Sequence, residues 1–389
     1  MRKEDYSVLI IGCDCQYGHL DRFIKTFKLI NPSVRIHLFS DLNEYDLSDD
    51  IKLNVSSIIY RHFYTGRAPK IIKRFLNILI LFKQFDKICK STRFDIINIH
   101  FPRYYLSFMW GFFAKMCNRV ILTPWGSDVL RASTIELYCL KYLYQKADII
   151  TVTSESYIGE FIVRKFRVEK NKMKPLRWGS ETIDYINDHV GLVSKMEAKA
   201  RLGLRDSYTI TCGYNAVREQ QHEKIINSIA EIRGVLPANL TLLFPVTYGI
   251  RSEKDHYVQS LKEECKRMNL SAIFYENYLS VEELFIIERA SDMFIHVQTT
   301  DAGNSTIMEY CLCGSKIIHG TWNVYKWMDF TPRFYYPVNE IEELPQVISD
   351  AYSSTILPVP EIAINTFKNR GWKRQMVSWN EVFMSSLSD

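Results

Sequence analysis

Two carboxylates, Asp301 and Glu309, stand eight residues apart in the run Thr299-Thr300-Asp301-Ala302-Gly303-Asn304-Ser305-Thr306-Ile307-Met308-Glu309-Tyr310. Gly303 permits close backbone approach and Asn304 or Ser305 can cap a helix, so exposed N–H groups and the positive helix end can meet an anion. Glu309, one turn inside that helix, can accept hydrogen bonds from a diol such as ribose. A capping Asp301 and a solvated Glu309 would give the same string. Upstream, Gly213-Tyr214-Asn215-Ala216-Val217-Arg218-Glu219-Gln220-Gln221-His222 again joins a glycine to a helix start. Arg218 or Lys224 can neutralise a diphosphate there, where charge develops on a leaving group; solvated charges on a surface turn are the alternative. In the first half, Thr123-Pro124-Trp125-Gly126-Ser127-Asp128 sets an acid beside a glycine. Asp128 is the first choice for a carboxylate that takes a proton from a hydroxyl, or else it caps the next helix. Gly12-Cys13-Asp14-Cys15-Gln16-Tyr17-Gly18-His19 adds a loop histidine, a general base or a surface residue, and His100 and Arg103 follow another apolar run.

Strands and helices in alternation must hold these loops. The runs Val8 to Ile11, Arg35 to Phe39, Ile96 to His100, Val120 to Thr123 and Ile149 to Val152 read as strands, with amphipathic stretches between them. The second half repeats the scheme with Thr209 to Cys212, Thr241 to Phe244, Ala272 to Tyr275, Met293 to Val297 and Lys316 to Ile318. Between them Ile225, Ile226, Ile229 and Ile232 share one helical face, and Tyr257, Leu261, Cys265 and Met268 another. Such alternation predicts two α/β domains, each a doubly wound parallel sheet covered by helices. The Pro175 to Gly179 segment marks a boundary, giving domains at 1–178 and 179–366 and a terminal helix at 367–389 that carries Trp372, Met376, Trp379 and Phe383. In open α/β sheets ligands bind beyond the carboxyl ends of strands, which is where each motif above lies.

With 389 residues, 47% hydrophobic and 24% charged, the chain is long enough for two cores. Its nine cysteines show neither zinc nor redox spacing: Cys13/Cys15 and Cys311/Cys313 are separated by one residue. The first apolar run is too short for a signal peptide and no stretch reaches the roughly 18 residues of a membrane span, so a cytoplasmic protein is expected. Residues 1–180 hold 29 basic and 17 acidic residues, the remainder 20 and 27. A basic half attracts polyanions, either nucleic acid or an anionic membrane surface. The segment 67–90, with Lys70, Lys73 and Arg74 among Ile71, Ile72 and Phe75, reads as a basic amphipathic helix that lies on lipid headgroups or packs as an ordinary core helix. Nucleic-acid binding fits less well, because no recognised module is present and the charges are interleaved with apolar positions.

The acid-x7-acid string with Cys313-Gly314 behind it resembles the motif of retaining family-4 glycosyltransferases. That resemblance implies the GT-B fold, two Rossmann-like domains facing across a cleft with a terminal helix crossing back. It further implies that Glu309 holds the donor ribose, that Asp301 faces the transferred sugar, and that the amides of Gly303, Asn304 and Ser305 meet sugar or diphosphate. Asp301 stands where the family usually has Glu, and Asn304 where Gly is common. The loop from Gly213 through Asn215 and Arg218 to His222, the turn Thr247-Tyr248-Gly249 and the Trp125-Gly126-Ser127-Asp128 segment resemble the transferases that add 4-acetamido-4,6-dideoxygalactose (Fuc4NAc) to a polyprenyl-linked disaccharide. In the family's base-contact position stand Tyr278 and Leu279.

The resemblance therefore implies a metal-independent transferase acting on a nucleotide sugar and a glycan or polyprenyl-linked acceptor, peripheral to the inner face of a membrane. Its catalytic groups would be Asp128, His19 and Asp301. It needs no cofactor beyond the donor; the sequence has no Asp-x-Asp triplet or His/Cys cluster for a metal. Rivals are a nucleotide-sugar epimerase or a non-catalytic nucleotide-sugar-binding protein on the same fold. A dehydrogenase is disfavoured by the lack of a strand-linked Gly-x-Gly-x-x-Gly.

Overall fold

The computed structural model describes residues 5–12, 19–42, 47–153, 158–250, 253–300 and 305–387. The chain divides into two compact units, Met1–Gly179 with Trp372–Asp389, and Ser180–Gly371.

In the first unit seven strands form one parallel sheet: β1 (Ser7–Gly12), β2 (Arg35–Ser40), β3 (Ser57–Tyr60), β4 (Phe94–His100), β5 (Cys117–Thr123), β6 (Ile149–Val152) and β7 (Met173–Pro175). Their order is β3-β2-β1-β4-β5-β6-β7. Val8 of β1 lies opposite Ile36 on one side and Ile96 on the other. Val8 to Ile11 are all buried, as a central parallel strand covered on both faces requires. One face packs Leu9, Ile97 and Leu122 against Phe85, Phe113 and Leu140. The opposite face packs Val8, Ile10 and Ile36 against the helix His19–Ile30 and the last helix, Trp372–Ser386. That last helix crosses back: Trp379 meets Phe23 with ring centroids 5.0 Å apart, Phe383 meets Phe27 at 5.1 Å, and Trp379 Nε1 donates to the Arg177 carbonyl. Gly179 is where the chain touches Trp372; a Cβ there would collide with the Trp372 backbone.

The second unit repeats the plan with β8 (Tyr208–Cys212), β9 (Leu240–Pro245), β10 (Ser271–Tyr275), β11 (Met293–His296), β12 (Lys316–Gly320) and β13 (Tyr335–Val338). The strands are parallel in the order β10-β9-β8-β11-β12-β13. Chain direction across each sheet therefore reverses between β1 and β4 and between β8 and β11. At such a switch point neighbouring loops diverge and leave room for a ligand.

All ten strands read from the sequence form. The three it misses, β3, β7 and β13, are sheet edges of three or four residues. β7 ends in Pro175 and β13 contains Pro337, residues that cannot donate to a ladder and are tolerated at an edge.

Candidate functional site

The switch point of the second sheet collects the motifs of that half. Gly213, directly after β8, has φ +63°, and a Cβ on it would stand 2.7 Å from both Gln220 Oε1 and His222 Nε2. Only glycine fits that combination of backbone and space. Asn215 is buried and its Oδ1 accepts from the Val217 amide, fixing the turn. His222 is also buried; burial pushes its pKa down to about 3, so its ring is neutral and makes hydrogen bonds rather than a charge clamp. Arg218 and Lys224 are exposed, with Arg218 against Glu223 and over the Tyr257 ring.

Across the switch, the segment after β11 is held from several sides. Tyr214 Oη and Gln220 Nε2 donate to Gln298 Oε1 at 2.7 and 3.0 Å, while Trp322 Nε1 and Asn323 Nδ2 donate to the Gln298 carbonyl. The Thr299 amide donates to the Glu219 carbonyl. This clamp fixes the entry to the acid-bearing loop; Asp301, Gly303 and Asn304 themselves lie outside the described residues.

Beyond the loop runs the helix Thr306–Leu312, and on it Glu309 is 4% exposed. Its Oε1 accepts from Ser180 Oγ at 2.5 Å and from Ser305 Oγ at 2.6 Å. Glu309 is thus a buried carboxylate held by hydroxyls, not a solvated helix residue. Ser180 does two jobs, since its Oγ also accepts from the Ile183 amide as N-cap of the helix Glu181–His189.

The remaining residues of this half fall in three places. Tyr248 and Gly249 lie against Ala216, whose amide donates to the Tyr248 carbonyl at 2.7 Å. Leu279 packs on Leu243 and Ile287 in the core, whereas Tyr278 is 79% exposed. Ser180, Gln220 and Gln298 border the candidate site and were passed over in the sequence reading. The one signal available was the Ser180-Glu181-Thr182 string, which suits a helix start.

In the first unit, Asp128 follows β5 in the short helix Ser127–Leu130. It is 6% exposed; Oδ1 accepts from the Trp125 and Gly126 amides at 2.9 and 2.8 Å, and Oδ2 has no hydrogen-bond partner among the described residues. Burial outweighs the amides and raises its pKa from 3.8 to about 7. Gly126, at φ +104°, makes the turn that aims both amides. His100 is caged by Phe23, Trp178 and Trp379, bonded to Asn98 Oδ1, and kept neutral by burial, which pushes its pKa down to about 3. His19 opens the first helix, and the rest of its glycine-bearing loop, 13–18, lies outside the described residues.

Residues 14–154 match the family model described as glycosyl transferase 4-like. No curated protein sequence matches the chain. Among solved structures, a glycosyltransferase from Rickettsia africae superposes with a TM-score of 0.73 at 14% identity, over 99% of both chains. Sucrose-phosphate synthase from Thermosynechococcus elongatus gives 0.67 at 13% identity, over 98% of this chain and 99% of that one. HepE from Anabaena, in complex with UDP and glucose, gives 0.63 at 15% identity, again over 98% and 99%. The fold is GT-B. This GT-B chain carries a continuous six-stranded second sheet whose switch point holds Gly213, the Gln298 clamp and the approach to Glu309.

Proposed function

We propose that the chain is a glycosyltransferase that moves a sugar from a nucleotide-diphosphate sugar to a glycan acceptor, one carried on a lipid in surface polysaccharide synthesis. The observation that carries the reading is Glu309, buried and held by Ser180 and Ser305 beside the switch point. A carboxylate so placed suits the vicinal hydroxyls of a donor ribose. HepE, of the same fold, holds UDP and glucose, which makes UDP the first nucleotide to try. The acceptor hydroxyl oxygen bonds to the anomeric carbon as the bond from that carbon to the diphosphate oxygen breaks. The nucleoside diphosphate leaves with the electron pair, and the hydroxyl proton passes to a base. Asp128 is that base if configuration inverts, supported by an Oδ2 without a partner among the described residues and a pKa of about 7; if configuration is retained, it orients substrate. No metal takes part, and activity should survive EDTA.

A membrane partner is supported by the first unit. The helix Lys70–Ser91 buries Leu81, Phe85 and Ile88 yet leaves Ile71 81% exposed, with Phe75 and Leu79 also exposed. The stretch from Ile51 to Phe85 has seven basic residues and no acidic one. The helix Thr134–Lys146 exposes Ile135 and Tyr138, and its Glu136 carboxylate is held below the usual range by the Ser133 amide and hydroxyl, with smaller attractions from Arg103 and Arg74. Apolar side chains rimmed by cations suit an anionic bilayer.

The test of the donor site is a thermal-shift screen of UDP, GDP, dTDP and their sugars against wild type and Glu309→Ala. A rise in Tm with one nucleotide, lost in the variant, supports the site and names the donor class. No shift with any of them sinks it. Donor turnover without acceptor would favour the epimerase, and binding without turnover the non-catalytic scaffold. Flotation with anionic vesicles tests the membrane partner, and equal recovery with Phe75→Asp would remove it.

A further inference from the structure

Glu288 lies in the helix Val281–Ala290 and is wholly buried. Neither of its carboxyl oxygens receives a hydrogen bond from a donor among the described residues. Its side-chain contact is another acid, Glu309, and burial together with that neighbour drives its pKa far above the carboxylate range. Two carboxylates in contact in a low-dielectric site cannot both be ionised, so a proton must reside on one of them.

The surroundings decide which. Glu309 accepts from Ser180 and Ser305, and such bonds favour its ionised form. Glu288 has no such help. Arg289 turns to the carbonyls of Val193 and Cys313, Lys195 to those of Ser291 and Gly314, and Lys199 to Asp292. Tyr310 and Cys313, the other titratable neighbours, are held neutral by burial, which raises both pKa values. We propose that Glu288 is a neutral carboxylic acid that donates its proton to a hydrogen bond with Glu309, and so holds the Glu309 carboxylate in the orientation that receives a ligand hydroxyl. A carboxylate offers about four lone-pair sites. The two serine hydroxyls and Glu288 each take one of these, and together they fix the direction of the Glu309 carboxylate. Glu288 is a positioning residue, acting through Glu309.

The inference rests on the reading of Glu309 as the nucleotide-sugar site, so its test has one arm with a nucleotide and one without. In titration calorimetry with UDP, Glu288→Leu should bind at least about tenfold more weakly than wild type, the scale of one hydrogen bond to a charged group. Glu288→Gln should restore most of that loss, because its amide also donates. Wild-type affinity in Glu288→Leu overturns the proposal, since space filling alone would then suffice. In the second arm, infrared spectra at pH 8, above the Asp128 titration, should show the C=O stretch of a buried protonated acid that vanishes in Glu288→Gln. Its absence from wild type overturns the proposal even if the leucine variant fails to fold. If wild type binds no UDP, the nucleotide reading fails for that probe, and the infrared band still decides the state of Glu288.

Discussion

Asp128 is tied at one oxygen and buried without a hydrogen-bond partner among the described residues at the other, and this environment sets two opposite dependences on pH. Its folded pKa, about 7, lies above the roughly 3.9 of an unfolded chain. Between these values the folded state binds the extra proton, so stability is full below about pH 4 and falls as pH rises through 7. Activity that uses Asp128 as a base should rise through the same window. Asp128→Asn keeps an acceptor for the Trp125 and Gly126 amides. Its Tm relative to wild type should therefore improve from pH 5 to pH 8, while transfer falls by about 10²-fold or more; a pH-independent difference in Tm would refute the shifted titration. Asp128 was legible because an acid beside a glycine after a strand is a local pattern. Ser180 was not legible as a site residue, because its partner Glu309 is 129 positions away and a single serine hydroxyl leaves no spacing signal. Glu288 was hidden among 44 acidic residues, with only burial to distinguish it.

At the scale of elements, the helix Glu181–His189 starts on the same hydroxyl that holds Glu309. A helix end and the buried Glu309 carboxylate are thereby coupled. Ser180→Ala should cost about 1 kcal/mol in chemical denaturation, the usual value of a cap, and should weaken nucleotide binding several-fold as well. Ser194→Ala, which removes the cap of the helix Lys195–Arg201, should cost similar stability and leave nucleotide binding unchanged; equal binding losses in both variants would deny the coupling. The central strands were legible because each carries a cluster of β-branched and apolar residues, as burial on both faces demands. Three of the four edges were not: β3, β7 and β13 have only three or four residues, and β3 and β13 are largely half-exposed.

At the scale of the molecule, the two sheets share one winding order, and the alternation of strand and helix already implied it. What alternation does not reveal is how completely the last helix belongs to the first unit. Trp372, Met376, Trp379 and Phe383 are all buried there against the helix His19–Ile30. Deleting residues 372–389 would uncover Phe23 and Phe27 and should leave the first unit aggregated while the second keeps its nucleotide-dependent thermal shift. A soluble truncated protein whose first unit resists proteolysis like wild type would contradict this.

The first unit is therefore assembled from two stretches of chain separated by the whole of the second, residues 180–371. On the ribosome the second unit emerges as one uninterrupted piece and can fold as soon as it clears the exit tunnel. The first, although translated earlier, must wait for the closing helix with its sheet face uncovered. Folding during synthesis thus runs against the order of translation, and the waiting face is where a chaperone would be needed most.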